Sequence, residues 1–340
     1  GVGVAMSTGR IAVFFVTVLG IWAAIHLYVF WRLASVPFVG RHVSWKWMVV
    51  AGLISYVIYP LARIVGGWHW HALAVPLEFA AATWMGVLFL LFSMFILADV
   101  LTLGGLLFRS HLGVVRSAAA VSALVLAVIA SVQGFRAPMV SDHLVRLKGL
   151  PAERDGMVLV MLSDIHLGTL ISRDWLARVV ERVNAMNPDC IAVVGDLVDS
   201  DADKLEGFLP VLRELRAPLG IWAVTGNHEF YAGLQRSVKF MEDANFHVLR
   251  DSSTAIAPGL LIAGVDDLTA RRRFGANGNA LATALNDSAS TTTIFLSHSP
   301  LEYESASSSG ADLMLSGHTH NGQVWPFNYI GRSRYPLIHG

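Results

Sequence analysis

Five short polar clusters lie in the C-terminal half of this 340-residue sequence, and each follows a short apolar run. Together they contain carboxylates, one amide oxygen and imidazoles, which suit hard to borderline divalent metal ions as ligands. The clusters are Asp164-Ile165-His166, Gly195-Asp196-Leu197-Val198-Asp199, Gly226-Asn227-His228-Glu229, Ser297-His298 and Gly317-His318-Thr319-His320. Their composition indicates a hydrolytic centre with two metal ions.

Hydrolysis of a phosphate ester is the reaction that such a centre suits. It needs a nucleophile at neutral pH and a means of neutralising charge on the transferring phosphoryl group, and two divalent ions about 3.5–4 Å apart provide both. One carboxylate must contact both ions, and about three further ligands complete each coordination sphere. The five clusters contain groups of these kinds in sufficient number.

Alternating strands and helices are predicted around the clusters. We expect strands at residues 157–162, 191–194, 221–224, 260–265, 292–296 and 313–315, and helices at 175–186, 205–215 and 231–244. This alternation predicts an α/β fold whose central strands are largely parallel. Ligands of such folds bind beyond the carboxyl ends of the strands, which is where the clusters lie.

The N-terminal part has a different composition. Apolar residues make up 54% of the whole sequence and charged residues only 15%, against about 25% charged in soluble domains. Most of the apolar excess lies in four runs, at residues 11–31, 47–64, 73–107 and 114–132. About 20 apolar residues in a helix cross a bilayer, so we predict a bundle of about four transmembrane helices.

The first and third apolar runs each have an alternative interpretation. A cleaved signal peptide would also be apolar, but its core is only about 7–15 residues long, shorter than the run at 11–31. A break near Gly104-Gly105 in the third run would add a re-entrant piece. Interfacial aromatic residues flank the runs, namely Trp45, Trp47, Trp68 and Trp70.

Basic residues in the loops predict the orientation. With the N-terminus outside, the inner loops hold Arg32, Arg41, Lys46, Arg109 and Arg116, and the outer segments hold Arg10 and Arg63. This bias places the C-terminal domain on the outer side of a bacterial cytoplasmic membrane. We divide the chain into a transmembrane domain at 1–134, a linker and the start of the next domain at 135–156, and a catalytic domain at 157–340.

Three further features limit the possible functions. The formal net charge is zero, which gives no reason to expect nucleic-acid binding. Cys190 is the only cysteine, so an intrachain disulfide is excluded, and we expect a buried, inert thiol. The run Arg271-Arg272-Arg273 could bind a substrate phosphate, although a solvated basic patch is the simpler interpretation.

All five clusters, in this order, resemble the signature of the calcineurin-like metallophosphoesterases. Three stretches also resemble the membrane-associated bacterial YkuE-like branch of that family: residues 162–168, Asn187-Pro188-Asp189 and residues 317–323. The resemblance extends from about Leu144 to the C-terminus. It implies a layered α/β/β/α sandwich and a metal-dependent phosphoric ester hydrolase.

The resemblance also implies a role for each site residue. One metal ion would be bound by Asp164, His166, Asp196 and His320, and the second by Asp196, Asn227, His298 and His318. His228 would stabilise the transition state or protonate the leaving oxygen, Asp199 would orient its ring, and Glu229 would be structural. The implied ions are two divalent metals such as Mn, Fe or Zn, and a metal-bridging hydroxide would attack phosphorus.

The sequence departs from the family pattern in two places. Asn321 stands where this branch often has a second glycine. Family members also continue through further C-terminal strands, whereas the sequence ends at Gly340, so one interpretation is that the domain lacks native C-terminal strands.

We therefore expect a membrane-anchored phosphoesterase that cleaves a phosphate ester or a pyrophosphate bond, with phosphodiesters among the candidate substrates. Its partners would be membrane lipid and a phosphorylated small-molecule or lipid-linked substrate. The alternative is a transporter or sensor whose phosphoesterase-like domain is regulatory and inactive. A phosphodiesterase for soluble substrates, merely tethered by its helices, is a third candidate. The sequence leaves the oligomeric state open.

Overall fold

The computed structural model of the chain describes residues 8–66, 71–199, 205–276, 278–288, 291–322 and 327–337. It divides into two compact units. The helical unit contains the described residues up to Arg136, and the α/β unit contains those from Ala137 onward.

Long apolar helices dominate the helical unit. Its helices are α1 (Thr8–Ala34), α2 (Pro37–His42), α3 (Trp45–Gly66), α4 (His71–Leu101) and α5 (Leu112–Gly134). All except α2 are long and apolar enough to cross a membrane, which confirms the four predicted spans. Many of their apolar side chains, such as Leu27, Leu53 and Leu124, are exposed. Such exposure is unfavourable in water and favourable in lipid.

The third span ends earlier than its apolar run. Helix α4 ends at Leu101, and two short 3₁₀ turns follow, Leu103–Gly105 and Arg109–His111. The described part of this segment contains no re-entrant helix, because the glycine pair at 104–105 has a low helix propensity. Trp45 and Trp47 are exposed at the start of α3. Trp68 and Trp70 lie outside the described residues.

A buried ion pair joins the C-terminal ends of α1 and α4. The Arg32 guanidinium contacts Asp99 Oδ2 at 2.7 and 2.8 Å, and the Tyr28 hydroxyl donates to the same oxygen at 2.6 Å. These helices are the first and third spans, whose C-terminal ends lie on one face of a membrane when successive spans alternate in direction. The ion pair therefore agrees with three alternating spans from α1 to α4.

The α/β unit contains two four-stranded sheets. The first has the order β1 (Leu159–Leu162), β2 (Cys190–Val194), β3 (Ile221–Val224) and β4 (His247–Val248), all parallel. The second has the order β5 (Ser252–Ala257), β6 (Leu260–Gly264), β7 (Thr292–Leu296) and β8 (Leu313–Leu315). Strand β5 is antiparallel to β6, and the other pairs are parallel.

Helices cover the outer faces of the two sheets. These are α6 (Arg173–Ala185), α7 (Leu209–Leu212), α8 (Asn227–Asp243), α9 (Leu268–Arg273), α10 (Ala280–Ala284) and α11 (Tyr303–Ser308). A further helix, α12 (Phe327–Arg334), follows the last strand. Strand β2 shows the layering, because side chains alternate across a strand. Its Ile191 and Val193 belong to a core shared with α6 and α8, whereas Val194 packs in a second core with Ile262 and Ile294 of the other sheet. The predicted α/β/β/α sandwich is confirmed.

The helix predicted at residues 205–215 is shorter in the structure and begins as a 3₁₀ turn. The structure has a 3₁₀ turn at Glu206–Phe208 and the single-turn helix α7. Pro210 explains the difference, because proline is tolerated only in the first turn of a helix. Cys190 is fully buried, as expected, and burial raises the pKa of its thiol to about 12.

Candidate metal centre

The candidate ligands follow the carboxyl ends of strands in both sheets. Five of them have left-handed backbone conformations, with φ of 55° at Asp164, 51° at His166, 50° at Asp196, 71° at His318 and 45° at His320. Residues other than glycine rarely adopt this conformation, which costs of order 1–3 kcal/mol each. Strain of this kind is concentrated at functional sites.

Two glycines allow the strand ends to approach one another. Gly195 follows β2 with a φ of 77°, and a Cβ atom there would lie 2.7 Å from the His298 ring. A Cβ atom on Gly317, after β8, would collide with Ser163 and with Asp164. A side chain at either position would push candidate ligands apart.

The first group of candidate ligands comprises Asp164, His166 and His320, whose ligand atoms lie within 4.8 Å of one another. Nε2 of His320 is 3.2 Å from Asp164 Oδ1 and 3.4 Å from His166 Nε2. Donor atoms that share one ion at about 2.1 Å lie roughly 3.0–3.4 Å apart. These two distances fit a single divalent ion, and the third pair, Asp164 Oδ1 and His166 Nε2 at 4.0 Å, is the most widely separated of the group.

The second group comprises Asp196, His298 and His318. Nε2 of the buried His298 is 3.1 Å from Asp196 Oδ2 and 3.3 Å from His318 Nδ1. The other ring nitrogen of His298 is 2.8 Å from the Val194 carbonyl oxygen, which orients the imidazole. This spacing also fits one ion.

Asp196 lies between the two groups. Its Oδ2 is 3.1 Å from His298 Nε2 and 3.9 Å from His166 Nε2. Its Oδ1 accepts the backbone N–H of His228 at 2.9 Å, which fixes the carboxylate plane. Among the described ligands, this carboxylate is the one placed to contact ions in both groups.

The buried side-chain oxygen of Asn227 indicates whether the residues present fit a metal ion. This oxygen is inaccessible to solvent and accepts no hydrogen bond in the described structure. Such an atom costs free energy unless a partner satisfies it. Asn227 lines a cavity of about 400 Å³ together with Asp196, His318 and His320. A cation in this cavity would satisfy the oxygen, so the residues present fit a divalent metal.

His228 and Asp199 form a pair at the same cavity. Nδ1 of His228 is 2.8 Å from Asp199 Oδ1, and His166 Nδ1 is 3.4 Å from the same oxygen. The hydrogen bond to Asp199 raises the pKa of His228 above its ordinary value, although partial burial opposes the shift. The contacts of His166 and His228 with its carboxylate hold the pKa of Asp199 well below its usual range. The pair can therefore hold a proton at the cavity.

The candidate ligands are electrostatically coupled. Burial alone would raise the pKa values of Asp164 and Asp196, but hydrogen bonds and charges from His320 and His298 lower both. Burial alone would lower the pKa of His298, yet its contacts with Asp196 raise it to about 9. The site thus combines carboxylates that stay ionised with imidazoles of unequal basicity, because burial and the charge of His298 lower the pKa of His318.

Glu229 has the structural role expected of it. Its carboxylate is fully buried and accepts the backbone N–H groups of Asp196 at 3.0 Å, Val198 at 2.8 Å and Gly226 at 2.6 Å. Burial raises its pKa. Glu229 ties the loops after β2 and β3 together and so positions Asp196 relative to Asn227.

Two residues that sequence reasoning missed contact candidate ligands. The Tyr335 hydroxyl is 2.8 Å from His318 Nε2, and the Ser163 hydroxyl donates to Asp164 Oδ2 at 2.6 Å. Ser163 directly precedes Asp164 in the sequence, so its hydroxyl at the end of the strand could have been predicted to contact that ligand. Tyr335 lies beyond every motif. At Asn321 the φ is 53°, a conformation that asparagine tolerates, so the departure from glycine preserves the turn.

The arginine run is only in part the solvated basic patch that we expected. Arg271 is buried and contacts Asp251 at 2.7 Å, whereas Arg272 is exposed and ion-paired with Glu302 at the surface. Each of these two charges therefore has a partner of opposite charge. Arg273 differs, because its guanidinium lies over the Tyr231 ring.

Comparison with known proteins agrees with this geometry. Residues 157–322 match a family model described as calcineurin-like phosphoesterase. A Helicobacter pylori protein described as an uncharacterized metallophosphoesterase is 32% identical over 209 residues, which cover 61% of this chain and 55% of that protein. A Danio rerio transmembrane protein with metallophosphoesterase domain is 33% identical over 271 residues, which cover 74% of this chain and 62% of that protein.

The uncharacterized metallophosphoesterase YkuE of Bacillus subtilis is 30% identical over 192 residues, covering 54% of this chain and 65% of YkuE. The chain thus spans less than two thirds of the length of each of these relatives. The match to the Danio rerio protein covers more of this chain than the family model does.

Proposed function

Through residues 157–322 the chain belongs to the calcineurin-like phosphoesterases, a family of metal-dependent phosphoester hydrolases, and from that premise we propose that it is a membrane-anchored dinuclear phosphoesterase. Its reaction is hydrolysis of a phosphate ester or pyrophosphate bond. The observation that carries the proposal is the position of Asp196 Oδ2, 3.1 Å from His298 Nε2 and 3.9 Å from His166 Nε2.

In this proposal Asp164, His166, Asp196 and His320 would hold one ion. Asp196 would also hold the other, together with Asn227, His298 and His318. When bound, two divalent ions supply an acidified water at neutral pH and offset charge on the phosphoryl oxygens. Carboxylate, imidazole and amide ligands suit Mn, Fe or Zn.

His228 provides the proton for the leaving group. Asp199 accepts the Nδ1–H of its ring at 2.8 Å and keeps the imidazole protonated to higher pH. The oxygen of water forms the new bond to phosphorus, the bond from phosphorus to the leaving oxygen breaks, and His228 protonates that oxygen. Asp199 positions His228 without contacting the substrate.

The helical unit supports a lipid-linked substrate and a membrane location. Four helices long and apolar enough to span a membrane belong to the same chain as the candidate site. Loop arginines and lysines favour an orientation in which the α/β unit lies outside the cytoplasmic membrane. A membrane-anchored enzyme encounters lipid-linked phosphates at a high local concentration.

Purified full-length protein in detergent tests the proposal. We expect bis(p-nitrophenyl) phosphate to be hydrolysed, the activity to disappear on chelation, and Mn²⁺ to restore it. A panel of lipid-linked and water-soluble phosphoesters then tests the substrate class. Protein that retains two metals per chain but hydrolyses none of these esters would favour the transporter or sensor alternative.

A further inference from the structure

Arg273 is exposed at the C-terminal end of α9. Its neighbours Arg271 and Arg272 are ion-paired with Asp251 and Glu302. Arg273 makes no ion pair with any residue that the structure describes, so its positive charge is available to a ligand.

An aromatic contact places Arg273 near the proton-donating residue. Its guanidinium carbon is 5.8 Å from the centre of the Tyr231 ring, a cation–π contact that restricts the side chain. The Tyr231 ring is in turn 5.9 Å from the His228 ring. A path of side chains therefore runs from His228 through Tyr231 to the Arg273 guanidinium.

Phe274 extends this path with an apolar surface. Its ring is 6.1 Å from that of Tyr231 and 5.6 Å from that of Phe230. Phe230 is buried and anchors the cluster, whereas Tyr231 is 53% exposed and Phe274 is 55% exposed. Two large aromatic side chains that remain exposed next to a catalytic cavity offer a surface on which a flat or apolar group can pack.

We propose that Arg273, Tyr231 and Phe274 form a subsite for the leaving group, and that this leaving group carries a second phosphate attached to an aromatic or apolar group. The inference rests on the proposed phosphoesterase function. His228 protonates the leaving oxygen, so the leaving group departs on the side where Tyr231 lies. A guanidinium binds phosphate oxygens through two parallel hydrogen bonds, which makes Arg273 suited to the second phosphate.

The preferred substrate class is then a diphosphate diester, cleaved between its two phosphorus atoms. The phosphoryl group that reacts lies in the metal cavity, and the distal phosphate contacts Arg273. The organic group on the distal phosphate packs on Phe274 and Tyr231. A simple phosphodiester lacks the group that Arg273 recognises.

Two matched substrates test the subsite. Bis(p-nitrophenyl) phosphate releases p-nitrophenolate, whereas P¹,P²-di(p-nitrophenyl) diphosphate releases p-nitrophenyl phosphate. We expect Arg273→Gln to raise KM for the diphosphate about 10–100-fold, because a charge-assisted hydrogen-bond pair is lost, and to leave kcat nearly unchanged. The same substitution leaves KM for the diester within about twofold. Arg272→Gln, a neighbouring exposed arginine, leaves both substrates unaffected.

A binding measurement separates failure of the subsite from failure of the proposed function. The methylene-bridged analogue of the diphosphate cannot be cleaved, and calorimetry on metal-loaded protein gives its affinity without turnover. We expect weaker binding to Arg273→Gln than to wild type, with two metals retained in both. Equal affinity, or equal changes with both substrates, would refute the subsite. If wild type cleaves neither substrate but Arg273→Gln still weakens binding, the proposed hydrolysis fails and the subsite stands.

Discussion

Replacing Asp196 with asparagine is the substitution that tests the centre most directly. The side chain is buried, and its two oxygens contact the His228 backbone on one side and the two ligand groups on the other. Asparagine has nearly the same shape, so the fold should survive. What it lacks is the negative charge between the two groups.

The charges of the ligand groups determine the expected loss. At an effective dielectric constant of about 20, two doubly charged ions about 4 Å apart repel each other by roughly 17 kcal/mol. One carboxylate about 2.1 Å from each ion attracts each of them by roughly 16 kcal/mol on the same scale. Without it, the site formed by Asn227, His298 and His318 has only neutral ligands, whereas the other site retains Asp164. The site formed by Asn227, His298 and His318 should therefore lose its ion, and the site that retains Asp164 should bind its ion more weakly.

Elemental analysis and esterase assays of the purified variant measure this loss. We expect metal content well below two per chain, activity reduced at least about 10³-fold, and unchanged helicity by circular dichroism. Asp199→Asn is the matched control, because it makes the same change at the same cavity outside the ligand groups and should retain two metals. If Asp196→Asn kept both metals while His298→Ala lost both, the shared carboxylate would have to be another residue.

Four further outcomes follow from the same geometry. His228→Ala should retain two metals and lose about 10²–10⁴ in kcat, and near wild-type turnover would remove its catalytic role. Asp199→Asn should lower the pKa of His228, so the decline of kcat at alkaline pH should begin at a lower pH; an unshifted pH profile would contradict this. Tyr335→Phe should weaken retention of one metal during dialysis. In the wild type the Tyr335 hydroxyl accepts the Nε2–H of His318, and Nδ1 of that ring is then free to bind the ion. Unchanged retention would show that another contact sets the tautomer of His318. Protease added to intact spheroplasts should digest the α/β unit, and protection until lysis would reverse the orientation.

The sequence predicted most of the fold because its signals were local. Apolar runs of sufficient length predicted the four spans, and apolar strands ending in polar clusters predicted the parallel strands of both sheets except the two-residue strand β4. The helix predicted at 205–215 is shorter in the structure, because Pro210 is tolerated only in the first turn of a helix. Strand β5 was missed, since the antiparallel edge Ser252–Ala257 is mostly small and polar and has no strong strand pattern.

Two of the contacts that sequence reasoning missed join residues that are distant in the chain. Arg271 is neutralised by Asp251, 20 residues earlier, and His318 contacts Tyr335, 17 residues later. Neither sequence separation is a characteristic spacing, because both depend on how loops return to the sheet edge. The metal roles of the site residues remain predictions. The structure adds that five of the seven candidate ligands line one cavity, and that Asp164 and His298 each have a ligand atom within 4.8 Å of those of two of the five.

The shortness of the motifs follows from this architecture. Because the two sheets place several strand ends at one edge, each strand needs to supply only one or two ligands immediately after it ends. The left-handed residues at Asp164, Asp196 and His318 turn the chain there instead of letting the strand continue. Each turn costs free energy, and the buried Glu229 carboxylate, with its three backbone hydrogen bonds, helps to hold one of them in place. A substitution of Glu229 should therefore act on metal binding through the position of Asp196, although Glu229 itself belongs to neither ligand group.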